Sequence, residues 1–356
     1  MKPINLFDYE ALAQERVEKG AWDYFQGGSD DEVTMRACRT GYERIRLRPR
    51  MLVDVGKCET GTTVLGTSVS MPILVAPSAY HGLAHAEAEC ETARGVGLSR
   101  TLMTASTFSN RSLEEIASAA SGPLWLQLYL YRNLHISGKV VQRAEAAGYR
   151  AIVLTADTPV LGRRERDLRN DFHLPPHLKE GNFAEELADA EAEAQIQAEA
   201  QSYIPLPEYP TWATVDWLHT VTSLPIILKG LLTAEDALLA LEHGAAGIIV
   251  SNHGGRQLDG AIASIEALPE IVAAVNGHCE VYVDGGIRRG TDVLKALALG
   301  ARAVLVGRPA LWGLAVNGAD GVHHVLEILR EELTLAMALS GRPTIASIDR
   351  SLVKWS

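Results

Sequence analysis

Gly247-Ile248-Ile249-Val250-Ser251-Asn252-His253-Gly254-Gly255-Arg256-Gln257-Leu258-Asp259-Gly260 is the stretch on which the fold turns. Ile248, Ile249 and Val250 form an apolar, β-branched run without polar alternation, which marks a strand covered on both faces, as in a parallel sheet. The run ends in a histidine, two glycines and an arginine. Gly254 and Gly255 allow a tight turn, so His253 and Arg256 project into one space beyond the strand end. A base beside a fixed cation suits an anionic substrate that must lose a proton. A strand followed by a solvated turn is the bland alternative for this stretch taken alone.

Outward from it, the chain repeats a short apolar run, a polar or glycine-rich break and an amphipathic helical stretch, the alternation of a parallel sheet. The runs are Ile73 to Ala76, Thr101 to Ala105, Leu124 to Tyr129, Ala151 to Thr155, Pro225 to Leu228, Gly247 to Val250, Glu280 to Val283 and Ala303 to Val306. Eight such units predict a closed (β/α)8 TIM barrel. Ser112 with Glu115, and Thr233 with Asp236, read as helix N-caps, and Gly148, Gly244 and Gly300 as helix stops. A doubly wound open sheet competes, but nearly every run ends in polar residues, and only a barrel gathers all its strand ends at one mouth.

Two segments fall outside the repeat within what reads as a single domain over 1–356. Residues 1–70 are expected to be mainly helical, with helices over Leu12 to Trp22 and from Ser29-Asp30-Asp31-Glu32, covering the closed end of the 71–356 barrel or reaching its mouth. The fourth connection, 171–210, is long, Ala/Glu-rich and flanked by prolines, and is expected to form a lid.

The 356 residues, 47% hydrophobic and 22% charged, suffice for a large core. No apolar stretch approaches the roughly 20 residues that span a bilayer, and the start lacks the core of a signal peptide, so a cytoplasmic protein without membrane contact is expected. A formal charge of −11 argues against nucleic acid as a partner. Cys38, Cys58, Cys90 and Cys279 are too scattered for a zinc site or a disulfide framework, and no metal site is expected.

Asp284-Gly285-Gly286-Ile287-Arg288 and Gly307-Arg308 follow the seventh and eighth runs, the corner where barrels grip phosphate. The glycines expose backbone N–H groups, and each arginine offers a fork to phosphate oxygens. Lys229, ending the fifth run, can set a positive charge beside a ring that becomes anionic on reduction. A flavin-free barrel using Lys229 in an isomerase or aldolase, or an idle ligand-binding barrel, is the rival from another class.

Ser251 to Asp259, with Leu228-Lys229-Gly230, Val283 to Arg288, Val306 to Pro309, Gln127-Leu128-Tyr129, Thr155 to Pro159 and Gly162-Arg163-Arg164, resembles the FMN-dependent 2-hydroxy-acid oxidases and dehydrogenases over nearly the whole chain. The resemblance implies FMN as cofactor, with Pro77, Ser78, Ala79, Ser106, Gln127, Thr155, Lys229 and Ser251 at its ring and Asp284, Gly285, Gly286, Ile287, Arg288, Gly307 and Arg308 at its ribityl and phosphate groups. It implies His253 as the base, Asp157 as its carboxylate partner, Arg164 and Arg256 as the grip on the substrate carboxylate, and Tyr24 and Tyr129 as substrate contacts. Arg163 competes with Arg164, but the spacing from Asp157 favours Arg164.

The reaction so implied is oxidation of a small (S)-2-hydroxy acid to the 2-oxo acid, with molecular oxygen as acceptor and hydrogen peroxide as product, in a homotetramer. Removal of the proton from Cα or from the hydroxyl requires the same base. Phe108 stands where the plant glycolate oxidase pattern has a bulkier tryptophan, which favours L-lactate over glycolate. Tyr80 and His81 resemble the hydroxymandelate branch, so a mandelate-type oxidase is an alternative, as are a glycolate-type oxidase, an acceptor-dependent dehydrogenase and a decarboxylating lactate monooxygenase.

Overall fold

A computed structural model describes residues 3–131, 134–183 and 210–355. The eight runs become strands: β1 (Ile73–Val75), β2 (Met103–Ala105), β3 (Leu124–Leu128), β4 (Ile152–Thr155), β5 (Ile226–Leu231), β6 (Gly247–Val250), β7 (Glu280–Asp284) and β8 (Ala303–Val306). They close as a parallel barrel in chain order, β8 returning to β1 through Val304 opposite Ile73. Ser112 and Glu115 form the expected capping box, Thr233 accepts from the backbone N–H of Asp236, and Gly148, Gly244 and Gly300 all have positive φ.

Side-chain alternation explains how an apolar barrel acquires a polar mouth. One parity packs inside: Ala76, Leu102, Trp125, Val153, Ile227, Ile249, Tyr282 and Leu305 share a cluster, with the Trp125 and Tyr282 rings edge to face at 5.4 Å. The opposite parity faces the helices. Two residues further along each chain, the inner parity becomes Ser78, Gln127, Thr155, Lys229, Ser251, Asp284 and Gly307. The strand that was an oily stave at the bottom is thus a hydrogen-bonding group at the top.

The other end is plugged by a hairpin, Thr62–Val64 with Thr67–Val69, whose Leu65 and Gly66 both have positive φ, as a tight hairpin turn requires. Val64 and Val69 are buried against the barrel's interior cluster. The N-terminal region therefore differs from the expectation of a mainly helical 1–70. Helices occupy α1 (Leu6–Arg16), α2 (Lys19–Gln26) and α3 (Val33–Glu43), after which the chain is extended. The single helix expected over Leu12 to Trp22 is broken because Val17 takes an extended conformation (ψ 136°) and Glu18 caps α2 through the N–H groups of Gly20 and Ala21. The region does both things anticipated of it, since α2 reaches the mouth while the hairpin closes the base.

Most of the expected lid, residues 184–209, lies outside the described residues. Its first part is docked. The fully buried Asn182 accepts from the N–H of Leu113 (2.8 Å) and donates to the carbonyl of Thr107 (2.7 Å), and the Gly181 N–H donates to Ser109 (2.8 Å). Among the described helices none is long and apolar enough to cross a membrane.

Candidate active site

His253 leaves β6 in a left-handed conformation (φ 58°), followed by Gly254 and Gly255 with φ of 65° and 75°. A non-glycine residue held there costs on the order of 1–3 kcal/mol, a strain typical of functional sites. Its backbone is secured by the Ser251 hydroxyl, which accepts from the His253 N–H at 3.0 Å. Its ring lies between two partners: Nδ1 is 2.9 Å from Oδ1 of Asp157, and Nε2 is 3.3 Å from the Tyr129 hydroxyl. An ionised carboxylate accepts, so Nδ1 carries the proton, and Nε2 is left with a lone pair facing the mouth.

Asp157 can approach this closely because Gly230 interrupts the β5 register. Gly230 has φ 110°, and a Cβ there would sit 2.6 Å from that of Asp157. Burial opposes ionisation of Asp157, but the charges of His253 and Lys229 outweigh it and hold the carboxyl down to about 2. Burial likewise pulls His253 below its ordinary value, with Lys229 adding to the effect and Asp157 opposing it. The imidazole is therefore neutral, and a base, at pH 7. Burial pushes Tyr129 up to about 12, so it is a hydroxyl donor.

Lys229 is 4% exposed, lies 3.0 Å from the Ser251 hydroxyl and 3.5 Å from Oδ2 of Asp284. Burial disfavours its charge, but Asp284 and Asp157 more than compensate and raise its pKa. A Schiff-base lysine is activated by the opposite shift, which weighs against the aldolase reading.

Arg164, Arg256, Arg288 and Arg308 all line a single cavity of about 1430 Å³ at the mouth. Among the described residues none of the four is in ion-pair contact with a carboxylate, whereas Arg39, Arg166 and Arg289 close by are each paired. Burial, then the neighbouring Arg164, brings Arg256 down to about 9; burial, then Arg308, brings Arg288 down to about 10. Carboxylates act on them only from beyond contact, Asp167 on Arg164 and Arg256 and Glu10 on Arg288 and Arg308, and four crowded guanidinium groups without a contacting counter-charge suit anionic ligands. Arg256 also donates to the carbonyls of Tyr24 (2.6 Å) and Gly27 (2.9 Å), and its guanidinium lies 5.2 Å from the Tyr24 ring. Arg308 donates to Phe25 (3.0 Å), Gly27 and Gly254 (both 3.1 Å), so it clamps the end of α2 to the His253 turn as well as facing the cavity. Neither clamp was legible in the sequence.

The wall built by the ends of β1 to β3 and by Thr155 is uncharged, while Asp167 and Glu180 bring carboxylates to the cavity from the connection after β4. Gln127 accepts from the Ser106 hydroxyl (3.1 Å) and donates to the Thr155 hydroxyl (3.0 Å). Pro77, Ser78, Ala79, Ser106, Gln127 and Thr155 line the cavity with Gly285, Gly286, Ile287 and Gly307. Asp157 and Ser251 are not lining residues; they act from behind His253 and Lys229. Arg163 is exposed while Arg164 lines the cavity. Sequence reasoning missed Leu161, Phe172 and Glu180, which also line it. Only Phe172 left a trace, an aromatic close after the arginine pair; its ring stacks on Tyr24 at 4.8 Å.

A family model described as FMN-dependent dehydrogenase matches residues 13–355. The chain is 50% identical to an L-lactate oxidase of Nostoc sp. over 99% of its own length and 98% of the relative's. It is 49% identical to glycolate oxidase 3 of Oryza sativa subsp. indica, covering 98% and 95% of the two chains. A crystal structure of mandelate oxidase superposes with a TM-score of 0.90 at 45% identity, covering 99% of this chain and 98% of that one.

Proposed function

The chain belongs to the FMN-dependent dehydrogenase family, and from that premise we propose that it oxidises (S)-2-hydroxy acids, L-lactate first among them, to 2-oxo acids with molecular oxygen as acceptor. FMN is the cofactor. The residues present fit it: a cavity of about 1430 Å³ has an uncharged hydrogen-bonding wall on one side, and on the other two guanidinium groups that among the described residues meet no carboxylate in contact, beside glycine turns. Pro77, Ser78, Ala79, Ser106, Gln127, Thr155 and Lys229 would hold the ring, with Ser251 fixing Lys229 from behind the wall, and Asp284 to Arg288 with Gly307 and Arg308 the ribityl and phosphate. Bound there, FMN supplies the two-electron acceptor that no side chain offers.

The chain's own residues supply binding and proton transfer. Arg164 and Arg256 take the substrate carboxylate, which relieves the repulsion between them. Tyr24 and Tyr129 present hydroxyls to the bound acid. His253 Nε2 accepts the proton lost from the substrate, and Asp157 at 2.9 Å stabilises the imidazolium that results. The carrying observation is this orientation, with Nδ1 committed to Asp157 and Nε2 turned toward Tyr129 and the cavity.

Lactate is favoured by the Nostoc relative and by Phe108, whose smaller ring leaves room for a methyl group. Steady-state rates for (S)-lactate, glycolate and (S)-mandelate, with peroxide assayed in air, test the reading. Lactate leading with one peroxide per turnover supports it, while a clear preference for glycolate, or turnover without peroxide, overturns the substrate or the acceptor. A cytoplasmic homotetramer is the accompanying expectation, checked by cell fractionation and sedimentation.

A further inference from the structure

Tyr80, after β1, takes a left-handed conformation (φ 58°) and donates its hydroxyl to Oε1 of Glu180 at 2.8 Å. Both side chains line the cavity. Oε2 of Glu180 is buried and meets no hydrogen-bond partner, and among the described residues no cation is in ion-pair contact with the carboxylate. A buried carboxylate oxygen left this way costs free energy until a donor reaches it.

Glu180 is not a loose side chain on a swinging segment. The carbonyl of Lys179 accepts from Asn110 (3.0 Å), and Gly181 is bonded to Ser109. Gly181 lies so close to the backbone of Arg111 and Ser112 that a Cβ there would clash. The carboxylate is therefore held at a fixed place on the wall.

Its place relative to the base follows from the aromatic contacts. Starting at Arg256, the Tyr24 ring is at 5.2 Å, Tyr80 lies 6.0 Å beyond Tyr24, Phe108 6.3 Å beyond Tyr80, and Tyr129 5.2 Å beyond Phe108. Tyr129 then returns to His253. Tyr80 thus sits at the middle of an aromatic arc whose two ends are the carboxylate grip and the base. The Tyr80–Glu180 pair therefore lies on the cavity wall between the carboxylate grip and the base, within reach of the side chain of an acid held at those ends.

We infer that Glu180, presented by Tyr80, is a specificity-determining residue that, among 2-hydroxy acids with side chains longer than the methyl group of lactate, favours those whose uncharged side chain ends in a hydroxyl and rejects those ending in a second carboxylate. The inference rests on the reading of Arg164, Arg256 and His253 as the substrate grip and base. A hydroxyl completes the unsatisfied oxygen, an alkyl end leaves it orphaned, and a second carboxylate meets like charge.

Three near-isosteric products separate these cases in the FMN-loaded protein: 4-hydroxy-2-oxobutanoate, 2-oxopentanoate and oxaloacetate, titrated by calorimetry. The hydroxyl compound is expected to bind about tenfold more tightly than the alkyl one, the scale of a hydrogen bond to a charged group. Glu180→Leu brings that ratio to about one. Glu180→Gln, which keeps an acceptor and loses the charge, retains part of the preference and admits oxaloacetate. An unchanged ratio in Glu180→Leu, or no preference in the wild type, overturns the inference. Because the readout is a ratio of dissociation constants, a general loss of packing does not move it, and it stands even if no acid is oxidised. Failure of all the parent hydroxy acids to bleach the flavin counts against the oxidase reading instead.

Discussion

The ends of β1 to β3 offer the cavity Ser78, Ser106, Phe108, Gln127 and Tyr129, all uncharged, whereas the ends of β5 to β8 offer Lys229, His253, Arg256, Asp284, Arg288 and Arg308. The same architecture, a parallel strand ending in a loop, yields a neutral hydrogen-bonding wall on one side and a dense charge cluster on the other. In the neutral half the polar groups satisfy one another, as Ser106, Gln127 and Thr155 do, so little desolvation cost is left over. In the charged half, Lys229 is balanced by Asp284 and His253 by Asp157, but among the described residues no carboxylate is in contact with any of the four arginines. The difference teaches where ligand charge would belong: on the proposed reading the crowded guanidinium groups take two anions, a phosphate near Arg288 and Arg308 and a carboxylate near Arg164 and Arg256.

Breaking the charged half has the largest expected effect. Arg256→Met is expected to lower kcat/KM for lactate by about 1,000-fold, the scale of an unpaired buried charge partner, with melting temperature measured alongside because Arg256 also holds Tyr24 and Gly27. A loss below tenfold would place the carboxylate elsewhere.

Asp157→Asn is a smaller and more diagnostic change, with an expected loss of about 100-fold in the rate of anaerobic flavin reduction, within the usual range for proton-transfer partners. Its pH dependence has a definite sign. Burial and Lys229 set the His253 pKa below 6.5, so in the wild type kcat/KM falls only as pH drops through that lowered value. Asp157 favours the imidazolium, so its removal moves the acidic limb to still lower pH. A limb that moves up would mean that another group titrates.

The neutral half is sharpened rather than broken by Phe108→Trp. The larger ring is expected to shift the lactate-to-glycolate ratio of kcat/KM toward glycolate by about tenfold, the worth of one methyl group in a tight pocket. An unmoved ratio would remove Phe108 from the substrate wall.

Legibility followed the same division. Buried parallel strands leave continuous apolar runs, and the polar residue two positions past each inner side chain is written directly in the chain, so all eight strands and the residues at their ends could be read. The contact of Asp157 with His253 came from the family resemblance and not from the local pattern, because its approach depends on Gly230 shifting the β5 register. The clamps from Arg256 and Arg308 to the carbonyls of α2 were hidden for a related reason: backbone carbonyls are identical at every residue and carry no pattern. Glu180 was hidden because the hydrogen bonds of Asn110 and Asn182 that dock its segment join positions about 70 residues apart. The hairpin that plugs the barrel was absorbed into a helical expectation, since its strands are only three residues each.

The central claim is that Nε2 of His253, held by Asp157, removes the substrate proton in the charged half of the mouth. Anaerobic single-turnover reduction by (S)-lactate, followed as bleaching of the yellow flavin in the wild type and in His253→Ala, tests it most directly. Both proteins are expected to carry FMN, and bleaching in His253→Ala is expected to be slower by roughly 100- to 10,000-fold. A variant that keeps its yellow colour and bleaches at a near-normal rate would contradict the account.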